Sequence, residues 1–350
     1  MIDRLRDNQK VWDLYTAKEE YNPLFLDQYG RFPRFASAAG NVFAPEVSTW
    51  LVENGMKPQW PDGAPFAVCL THDVDVVRAS TLRAAYDAAL AVRRRQVGQA
   101  LEAMLGRVWK RYNHAWNFSQ IMDIEARHGA RSSFYCLALE PGEHDFNFRV
   151  NEVQEDLREI VRRGWEVGLH GGHRAYRDLD ALRQEKDRIE RALGGEVIGY
   201  RNHYLRFTVP RTWELLARAG FHYDTTFGYA DCVGFRNRMC HPFCPVNRTT
   251  GELISIMEIP LTIMDRSLDT YMRIDAEKSW EITERLIKEV ERHCGVITIL
   301  WHNTSFTGAQ LEFYERILTE CSARKAWMTS GAEVYRWWKR TPWWRDGADA

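Results

Sequence analysis

From about residue 64 onward the chain alternates short apolar or aromatic runs with longer stretches in which apolar residues recur every three to four positions. Runs too short for helices and rich in β-branched residues mark strands buried on both faces, and the amphipathic stretches between them mark helices. The strand candidates are 66–70, 133–139, 165–169, 197–200, 221–223, 253–259 and 296–301; the helix candidates are 118–128, 155–163, 179–193, 211–219 and 277–293. Gly129, Gly164, Gly220 and Gly295 each stand just before a strand, where a helix end uses a left-handed cap. Such alternation predicts an α/β domain with parallel strands.

Outside that pattern, the Pro-, Gly- and aromatic-bearing residues 1–63 are expected to be an irregular extension packed on a domain spanning 64–335. Residues 80–112 have helical period and are expected to form one or two helices inserted between the first two strands. The tail 336–350, within "YRWWKRTPWWRDGADA", sets Trp337, Trp338, Trp343 and Trp344 among Arg and Lys. It suits either a last helix packed on the domain wall or a peripheral membrane or sugar contact.

Composition narrows the classes. With 45% hydrophobic and 27% charged residues the chain is an ordinary globular protein, and a formal net charge of −1 argues against a nucleic-acid partner. The basic run 93–95 falls in a helical pattern and is expected to be a solvated face. The charged N-terminus and the lack of any apolar run near ~18 residues point to a cytoplasmic chain. Seven cysteines at irregular spacing form no disulfide framework, and the "CHPFC" pair Cys240 and Cys244 lacks a second pair at zinc-site spacing.

Charge collects where strands end. "THDVD" follows the first, "HGGH" the third, "RNHY" the fourth, and "WHN" ends the last. Parallel α/β folds bring the carboxyl ends of different strands to one place, so Asp73, Asp75, His170, His173, His203 and His302 are expected to converge. Two carboxylates and several imidazoles at one point favour a divalent metal: zinc, with cobalt, nickel, manganese or iron as alternatives. Arg201 is expected to hold a carboxylate in place. Trp301, Tyr176 and Phe207 are candidates for sugar-stacking surfaces or for core.

The motifs "THDVD", "SSFYCL", "EVGLHGGHRAY", "GYRNHYLRF", "YDTTFGYAD" and "LWHNTSF", in this order, resemble the polysaccharide deacetylase family, the NodB-like carbohydrate esterases, over about 66–303. The likeness is greatest to the branch tied to surface polysaccharides. It implies a distorted (β/α) barrel and a metal-dependent hydrolase that removes N-acetyl groups from an amino sugar carried on a nucleotide, a lipid or an oligosaccharide. Within it Asp73 matches the catalytic base, Asp75 and His170 metal ligands, Arg201 the residue orienting the base, Tyr204 a main-chain oxyanion donor and His302 the catalytic acid. The usual second metal histidine is replaced by Arg174. His203 and His173 compete for that role, with His203 preferred. Asp224 and Glu258 are candidates for raising the pKa of His302. A catalytically silent carbohydrate-binding protein and an amidase for a small non-sugar amide are the competing readings.

Overall fold

The computed structural model describes residues 2–78 and 115–345. The predicted inserted helices, the basic run 93–95 and the end of the tail lie outside the described residues. The strands are β1 (Ala67–Val74), β2 (Ser133–Leu137), β3 (Glu166–Gly171), β4 (Gly199–Asn202), β5 (Tyr223–Asp224), β6 (Met257–Glu258), β7 (Leu261–Met264), β8 (Val296–Leu300) and β9 (Trp327–Thr329). They form one parallel sheet in the order β6-β5-β4-β3-β2-β1-β8-β7, curled into a (β/α) half-barrel with helices outside. β9 lies beside the first half of β1 and β2 beside its second half, with Cys69 opposite Thr329 and Thr71 opposite Ser133. β1 is therefore the hub of the sheet. Its residues are all buried, as a strand covered on both faces requires.

The edge strands β6 and β7 are separated in sequence only by Ile259 and Pro260, so the covalent chain joins the two rims of the sheet. Phe243 pairs antiparallel with Glu258 and covers the β6 edge. The predicted strand 253–259 is thus reduced to its last part, because the chain turns at Pro260 and re-enters as β7. Neither β7 nor β9 is long enough to show a period of its own. The helix Gly308–Ala323 is a further unpredicted element; it buries Tyr314, Ile317, Leu318 and Cys321 along one stripe.

The wall of the barrel is filled by aromatics laid over glycines. A Cβ on Gly168 would fall 2.4 Å from the Tyr135 ring, and one on Gly199 would fall 2.2 Å from the Tyr223 hydroxyl. Only glycine fits there. The end where the strands begin is plugged by the helix Gly331–Trp338, which packs Ala332, Val334, Tyr335 and Trp338 on Ala67, Cys69, Tyr223 and Val296. Ser330 caps this helix through Glu333 N–H, and the Glu166 carboxylate accepts from Ala332 N–H at 2.7 Å. The tryptophans of the tail belong to this plug: Trp338 is buried against Trp60, and Trp337 donates to the Gln59 carbonyl at 2.7 Å.

The N-terminal extension carries the short helices Ile2–Arg6, Gln9–Tyr15 and Glu46–Glu53. It is bound to the barrel by polar anchors: the Tyr15 hydroxyl donates to the Cys244 carbonyl at 2.6 Å, and Glu20 pairs with Arg236 inside the protein.

Behind the site, His72 links three elements. Its Nδ1 donates to the Trp301 carbonyl at 2.8 Å, and its Nε2 lies 2.8 Å from Glu125 Oε1. Glu125, from the helix Phe118–Arg127, also accepts from Tyr314, Ser132 and the Trp165 indole. Both partners are fully buried. Because burial makes a lone charge costly, removing one partner is expected to cost about 3–5 kcal/mol. His72→Ala and Glu125→Ala should each lower the urea midpoint accordingly, with an unchanged slope.

Candidate metal centre and active site

All the strand-exit clusters meet at the carboxyl end of the barrel. β1 delivers Asp73 and Asp75, β3 delivers His170, β4 delivers Arg201 and, one step beyond, His203, and β8 leads into His302. Asp75 Oδ1 lies 3.1 Å from His170 Nε2 and 3.3 Å from His203 Nδ1, and these two nitrogens are 3.1 Å apart. Among the described residues this trio is the group with donor atoms placed for a metal ion.

The tautomers follow from the outer hydrogen bonds. His170 Nδ1 donates to the Arg201 carbonyl at 3.1 Å, which turns the Nε2 lone pair inward. His203 Nε2 faces Asp145 Oδ2 at 3.2 Å, which turns Nδ1 inward. Three acceptor atoms then face one another just over 3 Å apart, and Asp75 Oδ1 is buried without a hydrogen-bond partner. A cation resolves that repulsion; this donor set, one carboxylate oxygen and two imidazole nitrogens, fits a zinc-like divalent ion. Without one, a proton is the substitute: although burial lowers the pKa of His203, Asp75 and Asp145 together raise it to about 10. The same histidines hold the Asp75 carboxyl well below its usual range despite its burial.

Around the trio stand groups suited to proton transfer. Asp73 Oδ2 is 3.6 Å from His170 Nε2, and its Oδ1 is buried, with Arg201 Nη1 4.0 Å away as the nearest counter-charge. Arg201 is fixed by Thr71 and Thr225 hydroxyls at 2.8 and 3.0 Å and lies over the Tyr135 ring. On the opposite side of Asp75, His302 Nε2 sits 3.8 Å from Asp75 Oδ2 while its Nδ1 donates to Asp265 Oδ1 at 2.6 Å. Burial lowers the pKa of His302, but the Asp265 carboxylate outweighs it and the pKa is raised to about 9.

Several expectations are corrected here. Asp224 and Glu258 do not serve His302. They are cross-strand neighbours buried together, where desolvation and the neighbouring carboxylate push Glu258 well above its usual range. The partner is Asp265, at the exit of the unpredicted strand β7. His173 lies outside the trio: its ring and carbonyl take hydrogen bonds from Arg206 at 2.7–2.8 Å, and it stacks on His144. Arg174 is exposed. Of the two readings open for Trp301, Tyr176 and Phe207, their burial agrees with core packing.

Tyr204 occupies an unusual backbone. It and Leu205 are consecutive non-glycine residues in the left-handed region, at φ 60° and 53°. Each costs of order 1 kcal/mol or more. The turn is held by Asp145, which accepts from the Tyr204 hydroxyl at 2.8 Å as well as from His203. Asp145 escapes sequence analysis because it sits in an aperiodic loop.

His203→Ala, Asp75→Ala and His170→Ala are expected to abolish stoichiometric metal uptake, whereas His173→Ala retains it. Elemental analysis after dialysis against zinc or cobalt checks this.

No family model and no curated protein matches this sequence. Solved structures do match over most of the chain. A protein from Mycobacterium smegmatis described as a polysaccharide deacetylase is 19% identical, with a TM-score of 0.54 over 81% of this chain and 95% of its own. One from Pseudomonas aeruginosa PAO1, described in the same terms, is 16% identical, with a TM-score of 0.55 over 93% of this chain and 100% of its own. The PuuE allantoinase is 15% identical, with a TM-score of 0.57 over 92% of this chain and 98% of its own. The chain therefore has the barrel fold shared by polysaccharide deacetylases and this allantoinase.

Proposed function

We propose that the chain is a metal-dependent hydrolase of the polysaccharide deacetylase family that removes an N-acetyl group from an amino sugar. The observation that carries this reading is the placement of Asp73 with Arg201 and of His302 with Asp265 about the Asp75–His170–His203 trio. A base, an acid and a cation site within one mouth are what hydrolysis of an acetamide needs, and a pure binder needs neither base nor acid.

A divalent ion held by Asp75, His170 and His203, zinc in the first instance, would polarise the amide carbonyl and acidify water toward a pKa of ~7. Asp73 takes the proton of the attacking water, its carboxylate steered by Arg201. The Tyr204 main-chain N–H, presented by the left-handed turn, is assigned to the developing oxyanion; such a donor contributes roughly 10²- to 10³-fold. His302, kept protonated by Asp265, gives its Nε2 proton to the leaving nitrogen as the C–N bond breaks. Water is consumed, and acetate and a free amine result.

The substrate is assigned as an acetylated sugar of surface-polysaccharide assembly in the cytoplasm. The tail tryptophans lie at the end of the barrel away from the site, so a membrane contact made through them would point the mouth away from the bilayer. That arrangement favours a sugar nucleotide or soluble oligosaccharide over a lipid-linked sugar. Hydrolysis of a small non-sugar amide is the second reading, favoured by the likeness to the allantoinase fold.

Acetate release across acetylated sugar nucleotides, oligosaccharides and small amides tests the substrate class: turnover of small amides alone would overturn the sugar reading. Asp73→Asn is expected to keep its metal and lose about 10²- to 10⁴-fold in kcat; full activity would remove Asp73 as the base. The acid role of His302 exists below its folded pKa of about 9 and is lost as pH rises through it. Asp265→Asn should accordingly move the alkaline limb of the pH–rate profile to lower pH and reduce kcat, with metal content unchanged.

A further inference from the structure

The turn that carries His203 and Tyr204 is gripped from outside the barrel. Arg31, in the N-terminal extension, is buried and donates from Nη1 to the Tyr204 carbonyl at 3.0 Å, across 173 positions of sequence. Its Nε pairs with Asp27 Oδ2 at 2.7 Å, and its Nη2 donates to the Tyr271 hydroxyl at 3.2 Å. The guanidinium lies over the rings of Tyr29 and Tyr271. Tyr29 in turn stacks on Tyr204, with centroids 4.8 Å apart and planes within 15°.

Residues 27–31 are themselves a tight turn. Asp27 N–H donates to the Arg31 carbonyl and Asp27 Oδ1 accepts from the N–H groups of Tyr29 and Arg31, all at 2.9 Å. Gly30, at φ 73°, fits against Arg206 and Tyr176, where a Cβ would lie 3.6 Å from Arg206 Nη2. A buried guanidinium with its own carboxylate, aimed at a single main-chain carbonyl of a strained turn, is a clamp.

We propose that this N-terminal turn completes the active site: Arg31 is a positioning residue that holds the left-handed backbone at Tyr204 and thereby keeps His203 turned toward Asp75 and His170. Asp145 fixes the imidazole from one side, and Arg31 with Tyr29 fixes its backbone from the other. The inference rests on the metal-centre reading and extends it to a segment outside the barrel.

The full-length chain loaded with Co2+ supplies a test independent of turnover. Its visible absorption reports the ligand set, and competition with a chromophoric chelator gives its affinity. Arg31→Ala is expected to weaken Co2+ binding about 10-fold, the lower end of what outer contacts to metal ligands contribute, and to shift the absorption bands toward those of His203→Ala. Arg31→Lys should recover part of both. Tyr29→Ala, which keeps the Arg31–Asp27 pair, is expected to move both readouts in the same direction and decides the matter if Arg31→Ala does not fold. Wild-type affinity and spectrum in folded Arg31→Ala, or in Tyr29→Ala where Arg31→Ala does not fold, would overturn the clamp while leaving the metal centre standing. Failure of the wild-type chain to take up Co2+ would overturn both.

Discussion

The constraint on which the site depends is electrostatic: one carboxylate oxygen and two imidazole lone pairs are forced together just over 3 Å apart, in a place with little water to separate them. Left alone such a cluster is repulsive, so its neighbours must hold it in place. The Arg201 carbonyl and the Asp145 carboxylate set which nitrogen of each ring turns inward. β3 and β4 fix the backbones from which the rings project. A centre of this kind stores its preference for a cation in the fold.

Charge is kept separate by function around that point. Asp75 serves the trio, Asp73 faces Arg201, and Asp265 serves His302 from the adjacent strand, β7. Asp224 and Glu258, deeper in the barrel, are buried side by side, and desolvation pushes both above the usual carboxylate range. Asp73 and Asp265 instead each face a cationic or imidazole partner of their own. His72, one residue before Asp73, belongs to neither role. It joins β1 to the Trp301 carbonyl and to Glu125, and so sets the spacing between the strand that bears Asp73 and the one that leads to His302.

The sequence pattern carries much of this and omits an identifiable part. Buried parallel strands are continuous apolar runs, so their sudden ends in His, Asp and Arg are visible without a structure, and Asp73, Asp75, His170, Arg201 and His302 all announce themselves in this way. His203 over His173 is a matter of backbone: residue 173 opens a tight turn whose ring is taken by Arg206, while residue 203 leaves β4 toward the centre. Asp145, Asp265 and Arg31 are illegible for a common reason. Each acts on a group 37 to 173 positions away, from a loop or a strand of four residues, and no local period distinguishes such a side chain from a solvated one.

The hub strand has a temporal consequence. β1 lies near the start of the barrel, yet it is flanked by β8 and β9, and its His72 bonds to a carbonyl 229 positions later. At a synthesis rate of roughly 5–20 residues per second, the emerging chain spends on the order of ten seconds or more with that strand lacking neighbours on one side. Such long-range pairing makes for slow folding.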